Sequence, residues 1–126
     1  MSFLNKKELH TMVFKKNNAL NIEKNGVKMR IYNDKAQCGQ AAVVFQETEK
    51  GHFEEFSHSK SFFIFYIIEG QGVWFIEEKP HDVEAGDVVI IPPNTKFYYK
   101  GKLKQVCVTS PAWEAEFEHH VRDIEQ

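Results

Sequence analysis

Residues 51–72 read GHFEEFSHSKSFFIFYIIEGQG, and how this stretch is parsed decides the fold. A glycine opens it, two histidines and two glutamates follow, and seven apolar residues then run from Phe62 to Ile68. A run of that length, rich in aromatic and β-branched side chains, reads as a strand covered on both faces. It is far too short to cross a bilayer, which takes about 20 apolar residues in a helix. Gly70-Gln71-Gly72 closes the stretch and reads as a hairpin turn, because glycine supplies the positive φ that such turns need.

Working outward, the same pattern repeats. On the N-terminal side, VKMRIY (27–32) alternates apolar and polar residues, and QAAVVFQE (40–47) is a second strand candidate. Residues 52–58 and 61–69 make two more. On the C-terminal side come 73–78 (VWFIEE), a Lys79-Pro80 break, 81–84, the turn Ala85-Gly86-Asp87, and the short apolar strand 88–91 (VVII). Pro92-Pro93-Asn94-Thr95 stops that strand, since proline cannot donate to a ladder. Residues 96–100 and 103–109 complete the β pattern. From Pro111 the chain turns acidic, and Trp113, Phe117, Val121 and Ile124 recur at nearly 3.6 residues, which predicts a short amphipathic helix over about 111–124. Residues 1–10 read as a frayed arm or a helical turn.

The chain has 126 residues, 42% of them hydrophobic, with eleven phenylalanines. That is enough for one domain, 1–126, with its own core over about 25–110. Sixteen basic and eighteen acidic residues give a net charge of -2, without the basic stripe that nucleic acid or an anionic membrane would call for. Cys38 and Cys107 stand alone, without CxxC spacing, and the N-terminus lacks the apolar core of a signal peptide. The expectation is a soluble cytoplasmic protein with no nucleic-acid or membrane partner.

Residues 51–72 and AGDVVIIPPNTKFYYKG (85–101) together resemble the two signature motifs of the cupin superfamily. The first motif runs G, five residues, H-x-H, three or four residues, E, six residues, G. The second runs G, five residues, P-x-G, two residues, H, three residues, N. Gly51, Gly70, Gly86 and Pro92 sit at the required spacings, and the resemblance covers about residues 40–113. It implies an all-β fold, a cupin-like double-stranded β-helix or jelly-roll barrel, here with a short C-terminal helix. It also implies a homodimer, in which pairing would hide the outer apolar face of 62–68.

Metal-binding members of that superfamily hold a cation with three histidines and a glutamate. Mapped with the three-residue spacing, the first two histidines fall on Ser57 and Ser59, the glutamate on Phe63, the last histidine on Phe97 and the asparagine on Gly101. The four-residue spacing moves the histidine pair to Phe56 and His58. One imidazole is too few for Zn²⁺ or Fe²⁺, so no metal and no cofactor are expected. His52, Glu54 and His58 share a face of an extended segment, but His52 and His58 lie about 20 Å apart along it. Those imidazoles, with His119 and His120, are read as exposed polar side chains.

With 57, 59, 63 and 97 facing inward, alternation adds Phe65, Ile67 and Tyr99. The candidate ligand-binding set is therefore Ser57, His58, Ser59, Phe63, Phe65, Phe97 and Tyr99: an aromatic chamber with a few hydroxyls, suited to a small, largely apolar or planar organic molecule. A solid core of interdigitating rings is the competing arrangement. Trp74 and Trp113 are core anchors or line the chamber's mouth, and Lys96, Lys100, Lys102 and Lys104 form a solvated rim. The functional expectation is metal-independent binding of a small organic molecule in the barrel. The alternatives are a metal-free isomerase or epimerase of sugars or small metabolites, using His58 with Tyr66 or Tyr99, and a metal-dependent enzyme with a rebuilt site.

Overall fold

Strands dominate the computed structural model, which describes residues 12–125. They are β1 (Leu20–Lys24), β2 (Val27–Ile31), β3 (Ala42–Thr48), β4 (Glu54–His58), β5 (Phe62–Ile76), β6 (Lys79–Glu84), β7 (Val88–Ile91), β8 (Phe97–Ser110) and β9 (Glu118–Asp123). All pair antiparallel. The frayed arm expected at 1–10 lies outside the described residues.

Two strands organise the molecule. The first half of β5 pairs with the second half of β8 and with β7, while its second half pairs with the first half of β8 and with β6. β8 likewise joins β3 through its second half and meets β4 at Phe56–Phe97 through its first. One layer is thus β1-β2-β3-β8-β5-β7 and the other β9-β4-β8-β5-β6, rolled face to face. The predicted barrel is present, and Phe63, Phe65 and Ile67 point into it as expected. Across the gap, the Phe65 and Trp74 rings stand 4.6 Å apart and those of Phe63 and Phe97 5.8 Å.

The glycines of 70–72 do not make the expected hairpin; they sit inside β5. There β5 and β8 cross so closely that a Cβ at Gly70 would collide with the Lys102 carbonyl oxygen, and one at Gly101 with that of Gln71. Both residues have positive φ, +95° and +133°. Glycine is needed here for close approach of two backbones as well as for φ. The hairpin lies later, at Glu77 and Glu78, both at positive φ, and Pro80 is tolerated because β6 is an edge strand.

The predicted C-terminal helix is also replaced. After a single 3₁₀ turn at Ala115–Phe117, residues Glu118–Asp123 form β9 along the free edge of β4. The 3.6-residue recurrence of apolar side chains is real, but β4 offers a ladder of unpaired backbone groups, and filling it outweighs local helical preference. Arg122 on β9 donates from Nε to the buried Glu55 carboxylate at 2.8 Å.

The outer face of the first layer is apolar. Val43, Val108, Ile64 and Ile90 form one cross-strand row over β3, β8, β5 and β7; Phe45, Val106, Tyr66 and Val88 form the next. Tyr66, Val88 and Ile90 are each about half exposed. Cys38 is exposed and Cys107 buried, both as free thiols. No helix among the described residues is long and apolar enough to cross a membrane.

Candidate functional site

The expected site residues separate into two groups. Phe63, Phe65, Phe97 and Tyr99 are buried and mutually packed, with Phe63–Phe97 at 5.8 Å and Phe65–Tyr99 at 6.2 Å. Ser57 and Ser59 do not share that interior. Phe56 and His58 are the inward residues of β4: Phe56 lies 4.7 Å from Phe97 and His58 lies 5.6 Å from Phe63. The reason is the register. The turn at Ser59-Lys60-Ser61 takes up the extra residue of the four-residue spacing, so Ser57 points away and the Ser59 hydroxyl donates to the Phe117 carbonyl at 3.4 Å.

His58 is buried, where the four-residue spacing puts it, and both its ring nitrogens are committed. The Ser61 N–H donates to Nδ1 at 2.9 Å and the Lys60 N–H at 3.3 Å, so the proton sits on Nε2, which faces the Glu114 carbonyl at 3.1 Å. His58 therefore ties β4 to the C-terminal segment. Tyr66, its expected partner in acid–base chemistry, lies on the outer face, half exposed.

His52 reverses another expectation: it is buried, 6% exposed. Its backbone N–H donates to the Tyr99 carbonyl at 2.9 Å, which anchors the residue just ahead of β4. Its ring lies 5.1 Å from Phe56 and 5.7 Å from Tyr99. Nδ1 stands 2.6 Å from the Glu54 carbonyl oxygen, an atom that only accepts, so Nδ1 carries the proton and Nε2 keeps a lone pair. Burial lowers the imidazole pKa, partly offset by that bond and by the charge of Glu54. A neutral imidazole with a free Nε2 is a proton acceptor. Burial also pushes the Tyr99 phenol far up, so it remains a donor.

Polar groups that sequence reasoning missed lie in the same interior as these rings. Gln46 on β3 and Gln105 on β8 are cross-strand neighbours, both buried. Gln105 Nε2 donates to Gln46 Oε1 at 2.9 Å, and the Tyr99 hydroxyl donates to the same oxygen at 3.4 Å. Trp74 stacks on Tyr99 at 4.3 Å, and its indole nitrogen is buried without a partner, as is Gln105 Oε1. Beside this row, Thr48 and Leu103 line an open cleft of about 1060 Å³ with Lys50, Phe53, Gly70 and Lys102 on its walls.

The superfamily's metal does not fit these residues. Phenyl rings occupy the positions of the missing donors, His58 has spent both nitrogens, and no group of three or more His, Cys, Asp or Glu among the described residues could hold an ion.

A family model described as "Cupin domain" matches residues 43–108. Among solved structures, the chain resembles Pac13, described as a unique nucleoside dehydratase, at 30% identity with a TM-score of 0.87, covering 91% of this chain and 94% of that one. A His→Gln variant of the Streptomyces protein, solved with uridine, matches at 29% identity with the same TM-score and coverage. Ectoine synthase from P. lautus shares the fold at 15% identity and a TM-score of 0.72, over 92% of this chain and 94% of that one. Comparison with curated proteins finds no match.

Proposed function

The chain belongs to the cupin domain family, and from that premise we propose that it is a metal-independent cupin that binds a small molecule of the nucleoside class inside its barrel. One observation carries this reading: His52, with Nε2 free, and Tyr99 lie side by side in an interior that also holds unpartnered polar atoms. The likeness to Pac13 adds to it. The three positions varied in its uridine complexes, one histidine and two tyrosines, are separated by 13 and then 34 residues. His52, Phe65 and Tyr99 are separated by the same intervals. Two of the three residue types agree; at the third, Phe65 keeps the ring and lacks the hydroxyl.

Intrinsic fluorescence tests the proposal, because Trp74 is stacked within the chamber. Uridine added to chelator-treated protein is expected to change the emission saturably, at one site per chain and equally with or without EDTA. Absence of saturation, or binding that appears only with added metal, overturns it.

A second reading, acid–base catalysis without metal, is favoured by the tautomer of His52. Nε2 would take a proton from a bound substrate, and the Tyr99 hydroxyl would donate to an oxygen nearby. Phe65 leaves the site one phenol poorer than the Streptomyces protein's histidine and two tyrosines. Turnover of a nucleoside derivative lost in His52→Gln but retained in His58→Gln would support it.

We propose also that a second copy of the chain covers the apolar rows on β3, β8, β5 and β7. The face spans about 19 Å across four strands and about 20 Å along β5. Its flat footprint, about 400 Å², is about half of the roughly 800 Å² hidden on each partner of a standard interface, so the rows form the apolar centre of the contact and their surroundings its rim.

A further inference from the structure

His52 and Phe53 stand just ahead of β4, outside any strand, between Gly51 with its φ of +120° and a slip of the β4–β9 register at Glu55 and Phe56. The Glu54 carbonyl that accepts from His52 Nδ1 at 2.6 Å lies in this short stretch, so no regular ladder sets where it points. The carboxylate of the same residue is held from two sides. Asn25, in the β1–β2 turn, donates from Nδ2 to Oε1 at 2.9 Å. His120, on β9, donates from Nδ1 to Oε2 at 2.6 Å. A carboxylate only accepts, so the direction of both bonds is settled. Hydrogen bonds to a carboxylate are short and roughly twice as strong as neutral ones. The Asn25 carbonyl holds the stretch once more, accepting from the Phe53 N–H at 2.8 Å, and the Ile124 N–H donates to the Phe53 carbonyl at 2.8 Å.

We infer that Glu54 is the positioning residue for His52: its carbonyl selects the Nδ1–H tautomer, and its carboxylate, gripped by Asn25 and His120, keeps that carbonyl in place. The inference deepens the acid–base reading above and rests on it for the use made of His52. An imidazole free to exchange tautomers presents Nε2 as a donor part of the time, and a nitrogen that already carries a proton cannot take one from a substrate. Packing does not make this choice, because the rings of Phe56 at 5.1 Å and Tyr99 at 5.7 Å receive either tautomer alike. Among the described residues, the Glu54 carbonyl is the one hydrogen-bond partner of the His52 ring. A plain brace between the β1–β2 turn and β9 would use the same two carboxylate bonds. What separates the two roles is whether the His52 ring responds when those bonds are cut.

Nitrogen NMR of the histidine rings, on the full chain without ligand, reads the tautomer directly; the His52 signals are those that vanish in His52→Gln. The wild-type protein is expected to show Nδ1 protonated and Nε2 bare at neutral pH. Glu54→Ala keeps the carbonyl and removes both grips, and it is expected to lose the single tautomer, with Nε2 protonated in a substantial share of molecules. Glu54→Gln still accepts from Asn25 and can donate to a neutral His120, so it should restore the wild-type pattern. A wild-type ring with Nε2 protonated, or a Glu54→Ala ring identical to wild type, overturns the inference. If Glu54→Ala does not fold, Asn25→Gly takes its place, since glycine accepts the φ of +51° found there, and an unchanged His52 ring in that protein has the same force. Uridine titration of the wild type reads the nucleoside proposal separately. The expected tautomers without uridine binding would sink that proposal and leave the positioning of His52 standing.

Discussion

Trp74 lies stacked on Tyr99, ring centroids 4.3 Å apart and planes 22° from parallel, and the Tyr99 hydroxyl reaches past it to Gln46. The ring and the hydroxyl of Tyr99 thus have separable duties. Tyr99→Phe keeps the stack and removes the donor. Urea denaturation is expected to shift by no more than about 1.5 kcal/mol, while uridine affinity falls about tenfold. A large loss of stability with affinity unchanged would make Tyr99 a core residue only.

Acid should destabilise the fold through its buried imidazoles. Burial lowers the pKa of both His52 and His58 in the folded state. The unfolded chain, with histidine near 6.5, then binds more protons, so stability rises with pH in that window. The contribution is complete above about pH 7.5 and drains away as pH falls through about 6.5 towards the lowered folded values. His120 works against this. Its hydrogen bond to Glu54 raises its pKa, so its stabilisation is present below about 6.5 and lost as pH rises through the raised value. The urea midpoint is expected to be lower at pH 5.5 than at pH 7.5, with His52→Gln flattening the difference and His120→Gln steepening it.

The C-terminal strand should report on Glu55. That carboxylate is 1% exposed and meets Arg122 at 2.8 Å, with its second oxygen buried and unpaired. Arg122→Ala leaves the buried Glu55 carboxylate without its partner and is expected to lower the urea midpoint. Adding Glu55→Gln to Arg122→Ala should recover much of that loss in the same denaturation assay. Equal stability of all three proteins would mean that β9 is held by its backbone ladder alone.

The outer apolar rows predict self-association. Light scattering should give twice the chain mass of 14.7 kDa. Ile90→Glu, at a half-exposed site at the β7 end of one row, should give the monomer with far-ultraviolet circular dichroism unchanged. A wild-type monomer at micromolar concentration would sink the idea.

The barrel was legible because its punctuation is local. Gly86 and Pro92 mark a turn and a strand end through their own backbone preferences, and Phe63, Phe65 and Ile67 announce an inward face by alternation. What was misread depends on contacts far along the chain. Gly70 and Gly72 look like turn residues, but it is the crossing of β5 and β8 that requires them. The apolar recurrence after Pro111 fits a helix until β4 supplies a partner edge. His52 precedes its strand, so alternation from β4 does not reach it. The glutamines did leave a signal: in Leu103-Gln105-Cys107 and Val44-Gln46, a polar residue stands on the inward phase of an otherwise apolar strand. The cue for His58 was present too, since the four-residue register turns it inward; only its hydrogen bonds reveal that it is committed to structure.

Because β5 and β8 each serve both layers, the two layers are sewn to each other through the strands at their centre. Neither layer can swing open as a flap without rupturing a continuous backbone ladder shared with the other. A guest inside the barrel would therefore enter and leave by an end of it rather than between the layers. On the proposed reading, exchange of its contents would then depend on side-chain rotations at that end and not on movement of a layer.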